Sequence, residues 1–197
     1  MHISVIGTGY VGLVSGACFA DFGHQVTCVD MDRGRVERLT SGELPFFEPG
    51  LLEKLHHTLG ALIGCSVAVL GLSFKPNTSD VRELPALYLC RRLLALGAGV
   101  RAFDPVAIPD AIRALGPSAR NVHFAENVLD TISRVDALVI MTEWNAFRSL
   151  DLAALGSSMR QKIVIDTRNV LDPSNARGEG FTYVGTGRGI ALEEAYA

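Results

Sequence analysis

Three features of the sequence predict an α/β fold. Short apolar runs alternate along the chain with stretches of helix length. The run at 3–6 leads into Gly7-Thr8-Gly9-Tyr10-Val11-Gly12 and then a helical stretch, the G-x-G-x-x-G pattern between a strand and a helix. A second run, at 65–70, leads into Gly71-Leu72-Ser73-Phe74-Lys75-Pro76 and another helical stretch. Strands separated by helices pair in parallel and are covered on both faces. Right-handed crossovers then give a Rossmann-like, doubly wound parallel sheet. The chain thus holds two openings of nucleotide-binding type. One is a partial amino-terminal βαβ unit over 1–55; the other is a five-stranded carboxy-terminal unit over 60–197.

In the first opening, residues 3–6 read as a buried strand. A helix with an apolar face follows over 11–22 and stops at Gly23; a second strand over 25–29 ends in Asp30. Gly7 permits the tight turn, Gly9 lets the backbone approach a pyrophosphate, and Gly12 lets helix and strand pack closely. The free N–H groups and the positive end of the helix dipole then face the phosphates. A carboxylate about 20 residues past such a loop accepts hydrogen bonds from the adenosine ribose, and Asp30 stands there. It also repels a 2′-phosphate, which favours NAD over NADP; Arg33 and Arg35 pull the other way. Residues 31–39 read as a short helix capped by Asp32. On it, Arg35 is either a contact at the adenosine end or a solvated helix charge. A turn-rich loop at 41–50 precedes a helix over 51–59, with Leu51, Leu52, Leu55 and Leu59 on one face.

The second opening continues with strands at 65–70, 100–103, 122–124, 137–141 and 162–165. Between them, helices are expected near 83–96, 108–115, 127–133 and 150–159. Pro85 sits in the first turn of one and Gly97 ends it. Ligands of such sheets lie beyond the carboxyl ends of the strands, where the loops 73–82, 142–147 and 166–169 emerge. Lys75 and Arg82, then Arg168, are the candidate cations. A lysine before Pro76 is held near a fixed backbone, which suits a phosphate or sugar contact; the competing reading is an ordinary surface cation.

Composition narrows the function classes. A chain of 197 residues suits one or two domains, and 48% hydrophobic with 20% charged residues is ordinary for a globular protein. A net charge of −3 and a pI near 5.9 give no electrostatic case for nucleic acid or an anionic membrane. Met1-His2 leads straight into a strand without a leader-like region, and no apolar run is long enough to span a bilayer. Cys18, Cys28, Cys65 and Cys90 have no C-x-x-C spacing. They read as buried free thiols in a reducing, cytoplasmic setting rather than a metal site or disulfide framework.

The segments GTGYVGLVSGACFADFGHQVTCVDMD and LPFFEPGL resemble the amino terminus of UDP-glucose 6-dehydrogenases. VAVLGLSFKPNTSDVRELPA, VRAFDP, VIMTEWNAF and IDTRNVLDP resemble their carboxy-terminal UDP-binding domain. The resemblance implies NAD as cofactor, contacted by Gly7, Thr8, Gly9, Tyr10, Val11, Gly12, Asp30 and Arg35, with Arg82 reaching toward it. It implies UDP-glucose or a related nucleotide sugar as ligand, with Phe74, Lys75 and Arg168 touching it.

The same resemblance exposes a departure. In the family a long central segment separates the two blocks. It carries the rest of the NAD-binding sheet, a helical dimerisation domain and a nucleophilic cysteine in the motif G-F-G-G-S-C-F-P-K-D. Here Leu55 and Val67 are nearly adjacent, the join falls between Lys54 and Gly60, and no such motif exists. Oxidising a primary alcohol to an acid takes two hydride transfers, with the aldehyde held on an activated thiolate. The four cysteines lie inside predicted helices and strands, so no catalytic residue is assigned and the oligomeric state stays open. The readings that follow are a nucleotide-sugar dehydrogenase by descent, catalytically incomplete alone; a non-catalytic UDP-sugar module or inert remnant; and an NAD-sensing Rossmann domain. The short amino-terminal piece is expected either to extend the second sheet or to be loosely ordered.

Overall fold

A computed structural model describes residues 1–40, 51–81 and 85–186. The chain divides into two compact units, Met1–Phe47 and Glu48–Ala197.

The first unit contains β1 (His2–Ile6), α1 (Tyr10–Asp21), β2 (Gln25–Val29) and α2 (Arg33–Thr40). β1 and β2 pair in parallel, Ile3 opposite Val26 and Val5 opposite Cys28. Two glycines set how closely α1 lies on them. A Cβ at Gly12 would collide with the Gly7 carbonyl, and one at Gly16 would come within 2.9 Å of the Cys28 thiol. Asp32 caps α2, accepting from the Arg35 N–H at 3.1 Å through its side chain.

One expectation fails in this unit. β1 is not a buried strand: its residues alternate between exposed and half-buried, and Ile6 is 90% exposed. A run such as Ile-Ser-Val-Ile reports apolarity, while burial needs neighbours, and among the described residues β1 pairs with β2 alone. Of the two outcomes expected for this piece, extension of the second sheet is not seen: among the described residues its strands form a two-stranded sheet of their own.

The second unit begins with α3 (Leu51–Leu59), whose Leu51 and Leu55 are buried. There follow β3 (Ser66–Leu70), α4 (Pro85–Ala95), β4 (Gly99–Phe103) and α5 (Ile108–Leu115). A 3₁₀ turn (Gly116–Asn121) leads to β5 (Val122–Phe124), α6 (Val128–Ile132) and β6 (Ala137–Ile140). The chain then runs through α7 (Asn145–Arg148), α8 (Leu152–Ser158), β7 (Ile163–Asp166), α9 (Pro173–Gly178) and β8 (Thr182–Gly185). The sheet has six strands in the order β5-β4-β3-β6-β7-β8, every pair parallel. Six strands correct the expected five. β8 was missed because it is short and lies at the sheet edge, after a helix that Asp172 caps and Pro173 opens.

Apolar periodicity explains the layering. On α4, Ala86, Leu87, Leu89, Cys90 and Leu93 form the buried stripe that a helix of period 3.6 presents to a sheet. In β3, Val67, Ala68, Val69 and Leu70 are all 0% exposed. Each fully buried Val or Leu side chain contributes about 1.5–3 kcal/mol. On one side of the sheet Leu70, Leu138, Ile140 and Val164 join Phe147, Leu155, Ala176 and Phe181 in one core cluster. Among the described residues no helix is long and apolar enough to cross a membrane.

All four cysteines are free, but the expectation of buried thiols holds fully only for Cys90. Cys18 is exposed on α1, and Cys28 and Cys65 are half-buried.

Candidate functional site

In the first unit the glycine turn and the acid at the end of β2 meet. The Gly7 N–H donates to the Val29 carbonyl at 2.7 Å, across the two strands. Asp30 Oδ2 accepts from the Thr8 N–H at 2.6 Å, from the Thr8 hydroxyl at 2.7 Å and from Arg35 Nη1 at 3.2 Å. Oδ1 accepts from the Asp32 N–H at 2.9 Å. The Asp32 N–H and the Thr8 donors hold this carboxyl well below the usual carboxylate range, and the Arg35 charge adds to them. Thr8 is 2% exposed. α1 starts at Tyr10 with no acidic residue in its first turn, which suits an anion at that helix end. The structure therefore brings together Gly7, Thr8, Gly9, Gly12, Asp30 and Arg35. The side chains of Tyr10 and Val11, the 41–50 loop and Arg82 lie outside the described residues.

The second unit repeats the arrangement. The Gly71 N–H donates to the Phe103 carbonyl at 2.8 Å. Asp104 Oδ2 accepts from the Leu72 N–H at 2.8 Å, the Ser73 N–H at 3.0 Å, the Ser73 hydroxyl at 2.9 Å and Trp144 Nε1 at 3.1 Å. Oδ1 accepts from the N–H groups of Val106 and Ala107 at 2.9 and 2.8 Å. Burial pushes the Asp104 carboxyl up; these donors outweigh it and leave the group below its ordinary value. Sequence reasoning passed over this residue, although Asp104 ends β4 as Asp30 ends β2.

Strand order reverses between β3 and β6, so the loops after them flank the switch point at which doubly wound sheets take ligands. The β6 loop links the loops on both sides. Its Thr142 hydroxyl donates to the Ser73 carbonyl at 2.5 Å, and Trp144 Nε1 also lies 3.1 Å from the Ser73 hydroxyl. On the other side, the Thr167 hydroxyl donates to the Ile140 carbonyl at 2.8 Å and Arg168 Nε to the Met141 carbonyl at 2.9 Å. Phe74 and Lys75, both exposed, follow directly on Ser73. The loop beyond them closes with the Phe74 N–H donating to the Asp80 carbonyl at 2.9 Å. The sequence-assigned Phe74, Lys75 and Arg168 thus sit on loops tied to one another through 141–144. At the base of the β7 loop, Asp166 accepts from the N–H groups of Arg168 and Leu171 and from the Tyr183 hydroxyl. A cleft of about 690 Å³ between the 78–81 loop and α5, lined by Thr78, Asp80, Asp110 and Arg113, reaches none of these three.

Neither cysteine of the second unit lies on these loops. Cys65 precedes β3, at the opposite end of that strand, and burial raises its thiol. Cys90 is buried within α4 and its thiol is pushed up to about 12. Cys18 lies within α1 and Cys28 inside β2. Among the described residues no three His, Cys, Asp or Glu side chains gather in a way that could hold a metal.

Comparison with known proteins gives two adjoining matches. Residues 1–66 match the UDP-glucose/GDP-mannose dehydrogenase family, NAD binding domain, and residues 68–173 match the UDP binding domain of that family. The UDP-glucose 6-dehydrogenases TuaD and YwqF of Bacillus subtilis (strain 168) are 36% and 38% identical to the chain, each over 138 residues. Those matches cover 70% of this chain but only 29% and 31% of the relatives. Among solved structures, a UDP-glucose dehydrogenase from Pyrobaculum islandicum is 37% identical with a TM-score of 0.56, covering 68% of this chain and 28% of that one. A UDP-D-ManNAc dehydrogenase from Pyrococcus horikoshii is 30% identical with a TM-score of 0.59, covering 79% and 33%.

Proposed function

The chain belongs to the UDP-glucose/GDP-mannose dehydrogenase family, and from that premise we propose that it binds a UDP-sugar, UDP-glucose foremost, at the carboxyl ends of β3, β6 and β7. Lys75 and Arg168 supply the positive charge for the diphosphate and sugar, and Phe74 packs beside them. NAD, the cofactor of the family's amino-terminal domain, docks its pyrophosphate on the loop of Gly7, Thr8, Gly9, Tyr10, Val11 and Gly12. Asp30 and Arg35 lie at the adenosine ribose, and Arg82 reaches toward the cofactor. The observation that carries the reading is the linked loop cluster at the switch in strand order, within the residues that match the UDP binding domain.

Alone, in this reading, the chain binds without turning over. Oxidation of the sugar alcohol to the acid needs a reactive thiol beside the nicotinamide to hold the aldehyde, and the second unit's own cysteines, Cys65 and Cys90, lie away from the strand ends that carry Lys75 and Arg168. In this chain the matches to the family's two domains follow one another directly, one ending at 66 and the next starting at 68. Free thiols and a lack of basic character suit a cytoplasmic protein.

Calorimetry tests the binding claim. UDP-glucose and UDP are expected to bind more tightly than NAD, and Lys75→Ala should weaken them by about 1.5–3 kcal/mol, as for hydrogen bonds to charged groups. An unchanged affinity removes Lys75 from the site. Sustained NADH production from UDP-glucose and NAD, above buffer background, would overturn the claim of incompleteness.

A further inference from the structure

Two polar atoms in the second unit break the rule that buried acceptors find donors. They are Glu143 Oε2 and Asn169 Oδ1, both buried and neither with a hydrogen-bond partner among the described residues. They stand at matching places. β6 and β7 pair with Ile140 opposite Asp166, and Glu143 and Asn169 each follow three residues later, on adjacent loops at the carboxyl edge.

Both side chains are held. Asn169 has φ +52°, and its Nδ2 donates to the Thr186 carbonyl at 3.0 Å, which fixes the amide with Oδ1 on the other side. Glu143 sits between two anchored residues, Thr142 and Trp144, both tied to Ser73. Its Oε2 lies 3.6 Å from Arg168 Nε, close enough for attraction, but that N–H is already given to the Met141 carbonyl. The terminal nitrogens of Arg168 have no hydrogen-bond partner among the described residues.

The grouping is therefore acceptor, donor, acceptor. Phosphate offers only acceptors and suits Arg168 alone; beside Glu143 it meets repulsion. A group that donates to the carboxylate and the amide while accepting from the guanidinium fits all three, and a hydroxyl does both. We propose that Glu143 and Asn169 form, with Arg168, a hydroxyl-reading subsite that accepts hydrogen bonds from the sugar hydroxyls of the bound nucleotide. This rests on the nucleotide-sugar reading above and assigns two further residues to it. Glu143 is its stronger member, because an ionised acceptor makes the stronger hydrogen bond.

The test uses the full chain and calorimetry with UDP, 2′-deoxy-UDP and UDP-glucose. Glu143→Met removes the acceptor at similar length; Glu143→Gln keeps an acceptor oxygen but removes the charge that faces Arg168. Asn169→Gly removes the amide and suits the positive φ. Glu143→Met is expected to weaken binding of UDP-glucose about tenfold or more. Glu143→Gln should restore a large part of that loss and Asn169→Gly should give a smaller one. The ligands locate the hydroxyl. Loss for UDP-glucose with UDP unchanged places it on the hexose; equal loss for both, absent with 2′-deoxy-UDP, places it on the ribose. Thermal unfolding of each variant shows that the fold persists, and Glu143→Gln carries the test if Glu143→Met does not fold. Wild type that binds UDP-glucose while neither Glu143→Met nor Asn169→Gly changes its affinity overturns the subsite alone. Glu143→Gln as damaging as Glu143→Met also overturns it, leaving Glu143 as a counter-ion of Arg168. Wild type that binds none of the three ligands overturns the nucleotide-sugar reading and the subsite with it.

Discussion

At the end of β1, Gly7 takes φ +95° and donates to the carbonyl of Val29; at the end of β3, Gly71 takes φ +91° and donates to that of Phe103. In each unit the next residue in the second strand's line is an aspartate, Asp30 or Asp104, which collects the N–H groups of the glycine turn. The local chemistry is the same and the surroundings are opposite. Val67, Ala68, Val69 and Leu70 are wholly buried in a six-stranded sheet, while Ile6 is 90% exposed in a two-stranded one. A nucleotide turn is thus a local motif that a short strand pair can present. A packed sheet is a separate achievement that depends on how many strands share the core.

Glycine substitution separates the two cases most sharply. A Cβ on Gly71 would lie 2.5–2.6 Å from the backbone and side chain of Thr142, on top of the positive φ. Gly71→Ala should therefore cost more than about 3 kcal/mol, strain and overpacking together. A Cβ on Gly7 meets nothing within 4 Å. Gly7→Ala should show the conformational cost alone, about 1–2 kcal/mol, confined to its own unit. Denaturant unfolding followed by Trp144 fluorescence reads the first, and peptide-resolved hydrogen exchange the second.

The two aspartates give a smaller, pH-dependent contrast. Asp104→Ala strands the buried donors of Leu72, Ser73, Ala107 and Trp144, with the part-buried Val106 N–H, and should destabilise the second unit by about 3 kcal/mol. The folded carboxyl lies below its unfolded value of about 3.9, so the stability it contributes is complete above about pH 5. It is lost as the pH falls through 4 toward the folded value. Unfolding midpoints of wild type should fall over that range more steeply than those of Asp104→Asn. Asp30→Ala should leave the main unfolding transition unmoved at every pH and loosen only the Thr8 turn.

Both glycine turns, the first five strands of the second unit and the caps of several helices could be read from the chain, because short-range signals define them. Asp32 before α2 and Gly97 after α4 are residues whose side chain, or lack of one, does the capping. Candidate cations were legible for the same reason: Lys75 and Arg168 sit in loops directly after apolar runs. What escaped was set at long range. Asp104 followed by Pro105 reads as a turn, and nothing local says that Trp144 will cross to it. Glu143 and Asn169 look like ordinary loop polars until β6 and β7 are in register. The exposure of β1 escaped because an apolar tetrapeptide is the same sequence whether or not a third strand lies beside it.

Native-state hydrogen exchange across the two strands that precede the glycine turns tests the central claim most directly. The amides of Val67, Ala68, Val69 and Leu70 should exchange only on global unfolding. Those of Ile3, Ser4, Val5 and Ile6 should exchange at least about a thousandfold faster, through opening of the first unit alone. Equal protection of the two strands, in a chain shown to be monomeric, would contradict the account.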